Sequence, residues 1–145
     1  MISPEVVAQA IADVLVTNKL AIGIKDSSVI SEDTDAKPLR PPYAAVFIDF
    51  EDESNQESAD TSQIGVPVET KILCSSGENK TAALSFAQAF QIALKVITQL
   101  KGSLTTDDGD VVMMLRKRPI SIIRNTAEQC VVQANLYYNI DAIGE

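Results

Sequence analysis

The sequence predicts a single α+β domain, a mostly antiparallel sheet of about four to five strands with an N-terminal helix and a long central helix packed on it. Three observations predict it. A helical apolar stripe opens the chain, a longer one lies past its middle, and apolar residues alternate with polar ones in segments that follow each. The chain has 145 residues, 46% of them hydrophobic, which suffices for one core and is short for two.

Taken in order, Ser3 is placed to cap a helix, with Pro4 at its first position and Glu5 near the positive end of its dipole. Val7, Ile11, Val14 and Leu15 recur on one face, so residues 4 to about 18 read as an amphipathic helix. Residues 26 to 42 hold Pro38, Pro41 and Pro42 among polar residues and read as a connection with a short strand around Val29-Ile30. Tyr43 to Phe50 is apolar or alanine except at Asp49, the pattern of a strand covered on both faces.

Residues 51 to 63, "EDESNQESADTSQ", have one alanine and otherwise only charged, amide and hydroxyl side chains, which offer too little burial to offset chain ordering. A long polar loop is expected there. Val66, Val68, Ile72 and Cys74 then alternate with Glu69, Lys71 and Ser75 as a half-buried strand, and Pro67 suggests that it starts near an edge or a bulge.

The second helix spans about Glu78 to Lys101 and is ~35 Å long at ~1.5 Å per residue, with Gly102 where a C-terminal cap belongs. Its expected stripe is Ala83, Phe86, Phe90, Ala93, Leu94, Ile97 and Leu100. Phe86 and Phe90 belong to core packing on this reading. "TTDDGD" at 105 to 110 is a turn, with Asp108-Gly109 as the hairpin dipeptide. Val111 to Leu115 is a short apolar segment of either type, Ile120 to Ile123 a short strand, and Cys130 to Asp141 the clearest period-two pattern in the chain.

Composition narrows the chemistry. A formal charge of −8 repels phosphate, which sets the chain against sequestering nucleic acid. Histidine is absent, which removes imidazole bases, Ser-His and Cys-His pairs and the commonest metal ligand. Cys74 and Cys130 fall at apolar strand positions without C-x-x-C spacing and read as buried thiols of a reducing compartment. No window approaches the ~18 apolar residues of a membrane span, and no leader pattern opens the chain, so a soluble cytoplasmic product is expected.

Three clusters remain as candidate sites. Asp49 with Glu69-Thr70-Lys71 has the Asp…Glu-x-Lys arrangement by which restriction-type nucleases hold Mg²⁺ and orient water. Against it stand the commonness of Glu-x-Lys on a strand's polar face and the lack of a cationic groove for DNA. Glu51, Asp52 and Glu53, and the "DDGD" at 107 to 110, lack the ligand order of a Ca²⁺ loop, so no cofactor or metal is expected at either. Arg116, Lys117, Arg118 and Arg124 form the main basic cluster, which in so acidic a chain suits an acidic protein surface, including the 51 to 63 segment of a neighbouring copy.

The succession of an N-terminal helix, "RPPYAAVFIDFEDE", a polar loop, "VPVETKILCS", "TAALSFAQAFQIALKVITQL" and "RPISIIRNTAEQCVVQANLYYNI" resembles the tail terminator family of tailed bacteriophages, in the form found in Mu-like and other contractile-tailed phages. The resemblance covers nearly the whole chain and rests on element order rather than on a short motif. It implies a non-enzymatic virion subunit that forms a sixfold ring on the last ring of the tail tube, stops its growth and offers a surface to the neck proteins, with the sheath protein as a further neighbour. A related neck or head-completion subunit is the alternative it leaves open. DNA would pass through such a ring without adhering, as the negative charge favours. The residues expected at interfaces come from charge alone: Glu51, Asp52, Glu53, Glu57 and Asp60 on the acidic side, and Arg116, Lys117, Arg118 and Arg124 on the basic side.

Overall fold

The computed structural model describes residues 3–29, 40–50, 65–126 and 129–141. Helix α1, Pro4–Thr17, starts from an extended Ser3 whose carbonyl accepts the amides of Val6 and Val7, while the Ser3 hydroxyl makes no capping bond. It buries Val7, Ala8, Ile11, Ala12 and Leu15, the stripe expected from its spacing with the alanines added and Val14 only partly buried. A short turn of helix, α2, Lys19–Ile22, follows.

Six strands form one sheet: β1 Asp26–Val29, β2 Tyr43–Phe50, β3 Gly65–Ser75, β4 Gly102–Thr106, β5 Gly109–Asn125 and β6 Cys130–Asp141. Their order is β1-β2-β3-β6-β5-β4. The β1–β2 pair is parallel and the rest are antiparallel. The short strand expected around Val29-Ile30 is β1, which starts earlier and ends at Val29, and the count exceeds four to five because β4 lies where a helix cap and turn were expected. The two apolar segments after the turn are one continuous strand, β5, of 17 residues.

β3 lies between β2 and β6, but its first residues, Gly65 to Pro67, pair with β6 alone among the described residues, so Pro67 sits at a local edge as expected, one residue beyond the last β2 pair, Phe50 with Val68. β2 is covered on both faces where expected, with Ala44, Ala45 and Val46 fully buried.

The long helix, α3, is Ala82–Leu100, 19 residues and about 28 Å, shorter than its apolar run because Thr81 caps it by accepting the Leu84 amide. Its buried face is Ser85, Ala89, Ile92, Ala93, Val96, Ile97 and Leu100, which keeps Ala93, Ile97 and Leu100 of the expected stripe, with Phe86 packed against its margin. Leu94 and Ala83 are exposed, and Phe86 and Phe90 lie half-buried on the flank with ring centroids 5.6 Å apart. Ala89 and Ala93 let the helix lie close on the sheet, where the larger rings would hold it off. Lys101 is extended and Gly102 takes φ +98° beyond the helix end.

Helix α3 packs on β3 and β6, while α1 touches β1 and β2 at one end of the sheet and β4 at the other. The sheet therefore curls around α1. One core unites Val7, Ile11 and Leu15 with Val46, Ile72, Leu136 and Tyr138, and draws in Leu104, Val111 and Met113 from the β4–β5 hairpin. Cys74 and Cys130 are both buried and unbonded, as their positions predict.

Candidate interface on the β5 edge and the adjoining sheet face

Antiparallel partners share a face, so register places Asp49, Glu69, Tyr137 and Met114 in one row across β2, β3, β6 and β5, on the side away from the helices. Lys71 follows Glu69 on that side, opposite Asn135. The three positions proposed for a metal nuclease are thus neighbours by register; the Asp49 side chain lies outside what is described. Glu69 is already engaged. Its Oε1 accepts the Arg116 Nε–H at 2.5 Å, with the two side chains only 15% and 24% exposed. The guanidinium carbon, Cζ, also lies over the Tyr137 ring, 4.0 Å from its centroid.

Arg116 therefore does not belong to the exposed basic cluster expected from the sequence. Leu115 pairs with core Leu136, so simple alternation puts Arg116 on the far face with Met114 and Tyr137. A bulge follows: Ile120 pairs with Ala134, so Arg116 to Pro119 stand opposite Asn135 alone, and Lys117 and Arg118 are exposed.

Asn135 holds that excursion in place. Its Nδ2 donates to the Arg118 carbonyl at 3.1 Å and to Ser121 Oγ at 3.0 Å, while its Oδ1 accepts from Gln133 Nε2 at 2.7 Å. Both Nδ2 bonds of Asn135 thus reach β5, while its Oδ1 is held within β6.

β4 pairs only with Gly109 to Met113. Beyond Met113, the outer side of β5 has no strand beside it among the described residues. Along this edge Leu115, Ile122 and Ile123 are 40%, 58% and 54% exposed, and Arg124 is exposed at its far end. A second irregularity lies between Ile122 and Arg124, which leaves Ile123 without a partner on β6. Arg118 and Arg124 make no ion pair among the described residues.

The α1 end of the molecule carries the opposite sign. A cleft of about 430 Å³ between α1 and the β4–β5 turn is lined by Glu5, Asp13 and Asp107 together with Gln9, Asn18 and Thr105, a surface that repels phosphate. At the other end of the sheet, the Arg40 backbone N–H bonds Asp26 at 2.9 Å and, with the Arg40 charge, holds its carboxyl below the ordinary range. The expected acidic interface residues Glu51, Asp52, Glu53, Glu57 and Asp60 lie outside the described residues.

Sequence reasoning missed Tyr137, Asn135 and Gln133, which position the basic segment, and the exposed apolar trio of β5. For the trio a signal existed: Ile122 and Ile123 are adjacent, and on a regular strand one of two adjacent side chains must face away from the core. No protein-family model matches the chain, and no curated protein does.

Proposed function

We propose that the protein is a non-enzymatic structural subunit of a phage virion, a tail terminator that closes into a homo-hexameric ring on the tail tube, halts its growth and presents a surface to neck proteins. The reading starts from the resemblance in element order. The observation that carries it further is the separation of charge: Arg118 and Arg124 stand exposed on one sheet edge, while the chain as a whole carries −8 and concentrates five carboxylates between residues 51 and 63. A ring subunit needs two different complementary surfaces, because a head-to-tail contact closes only when each copy offers both. The remaining negative surface suits a conduit that DNA traverses without adhering.

The test is light scattering with size-exclusion chromatography at low and high salt, then negative-stain imaging of the protein mixed with purified tail tubes. A ring, or a cap at one tube end, supports the reading. A salt-insensitive monomer that leaves tubes unmarked overturns it in favour of a neck or head-completion adaptor.

The register of Asp49 opposite Glu69 keeps a second reading, the Mg²⁺-dependent nuclease, worth one titration. Calorimetric Mg²⁺ binding lost on Glu69→Gln, with cleavage of plasmid DNA, would support it. Because the Arg116 guanidinium occupies Glu69 Oε1, metal would have to displace a charge-assisted hydrogen bond.

A further inference from the structure

β5 carries opposite charge at its two ends. The turn that leads into it from β4 holds Asp107 and Asp108, and Asp110 follows, whereas Arg118 and Arg124 stand exposed in its second half. At ~3.3 Å per residue the two arginines lie roughly 30–50 Å along the strand from that turn, far beyond the reach of a side chain. The two ends cannot neutralise each other within one copy, and neither arginine makes an ion pair among the described residues.

Each end also has an apolar part. At the acidic end, the cleft of about 430 Å³ sets Glu5, Asp13 and Asp107 around Val6, Ala10 and Val14, with no cation among its lining residues. At the basic end, Ile122 and Ile123 are more than half exposed beside Arg124. Addition of a further strand is blocked there, because Pro119 lacks an N–H and irregularities interrupt the ladder on both sides of Ile120–Ile122. Binding at this end is left to side chains.

The geometry points to a second copy of the chain as the occupant: Ile122 and Ile123 of one copy pack over the cleft between α1 and the β4–β5 turn of the next, with Arg118 and Arg124 against Asp13 and Asp107. Charge complementarity selects this occupant. Like ends repel, acid against acid or arginine against arginine, so a symmetric pair is disfavoured and copies join head to tail. A joined pair still offers one unused end of each kind, as a closing ring requires. The apolar contact is small, so each junction is weak and salt-sensitive and gains strength when repeated around a closed assembly.

This inference rests on the proposed self-association and not on the identity of tube or neck partners, so it is tested on the isolated full chain by sedimentation velocity over a concentration series at low and high salt. Two charge-swapped proteins are compared with the parent: Arg118→Glu with Arg124→Glu, and Asp13→Lys with Asp107→Lys, all at exposed positions. The parent should associate at low salt and dissociate at high salt. Each swapped protein alone should associate about tenfold more weakly or worse, as expected when two exposed charge contacts are reversed. An equimolar mixture of the two should recover association, because every head-to-tail junction between them again pairs opposite charges. Should either swapped protein fail to fold, Arg118→Gln with Arg124→Gln and Asp13→Asn with Asp107→Asn replace them, and a weaker salt dependence is the expected readout.

A parent that stays monomeric at low salt overturns the inference, as does a mixture of folded variants that fails to recover. Association untouched by changes at Asp13 and Asp107 also overturns it, and would put the acidic partner of the arginines on another surface. A ring on tail tubes that forms equally with all three proteins would leave the terminator reading standing and remove only this contact.

Discussion

Arg116 and Glu69, 47 residues apart, meet at 2.5 Å on a sheet face where Tyr137 provides the floor beneath the guanidinium. The contact ties β5 to β3 across the intervening β6, so a single charged pair spans three strands. Removing the arginine would take a charged hydrogen-bond partner from a mostly buried carboxylate. Arg116→Ala is expected to destabilise the fold by about 2–4 kcal/mol, and Arg116→Lys to recover only part of that, because an ammonium cannot both bond Glu69 and cover the Tyr137 ring. Urea unfolding of the two variants measures this, and equal stability in all three proteins would show the pair to be incidental.

Asn135→Ala should cost about 1–2 kcal/mol and, more tellingly, loosen residues 116 to 121, since the Arg118 carbonyl and Ser121 Oγ lose their shared donor. Hydrogen exchange resolved along β5 reads the effect, with the β4–β5 hairpin as the internal control.

Alkaline pH should weaken the fold. Burial pushes the Tyr138 hydroxyl from 10.0 up to about 12 and raises both cysteine thiols, so the folded state keeps protons that the unfolded chain releases. This contribution is fully present below the unfolded pKa values and is lost as pH rises above about 9 to 10. The Tyr138 hydroxyl meets no hydrogen-bond partner among the described residues, so Tyr138→Phe should leave neutral-pH stability within about 1 kcal/mol of the parent. It should also blunt the alkaline decline by up to ~1 kcal/mol at pH 11, one pH unit above the unfolded value. Chemical denaturation at pH 7 and pH 11 separates the two effects.

Gly102 takes φ +98° and has open space around the position of a Cβ, so the penalty for a side chain there is backbone strain alone. Gly102→Ala should cost roughly 1–2 kcal/mol. A larger loss would show that the link between α3 and β4 has less room than its surroundings suggest.

Much of this fold could be read from the chain because strong periods coincide with deep burial. β6 alternates cleanly, and Val132, Ala134, Leu136 and Tyr138 are all buried on the helix side. α1 showed its face for the same reason. The α3 stripe overlaps the buried face only in part because hydrophobicity drew attention to Phe86 and Phe90, whereas close helix–sheet contact selects small side chains such as Ala89 and Ser85. β4 escaped notice because "GSLTT" has only Leu104 and Thr106 facing inward and a glycine at its head.

The candidate interface was legible as charge and illegible as geometry. Composition located Arg116 to Arg118, but grouping them by charge ignored alternation, which puts Arg116 on the Glu69 and Tyr137 face. The bulge beyond it, where Asn135 on another strand bonds the Arg118 carbonyl 17 residues away, interrupts period-two counting for the rest. The adjacent isoleucines 122 and 123 carried the missing clue.

The place of β6 also bears on how the chain reaches this arrangement. It is the latest of the strands to be synthesised, yet it fills the middle of the sheet between β3 and β5. On a nascent polypeptide β3 thus waits with one side unpaired while α3, β4 and β5 emerge, and two half-sheets are joined only when Cys130–Asp141 arrives. Such an order of events makes the completed fold a late, nearly all-or-none step, and leaves any product cut off before β6 with two complementary open edges and a tendency to aggregate.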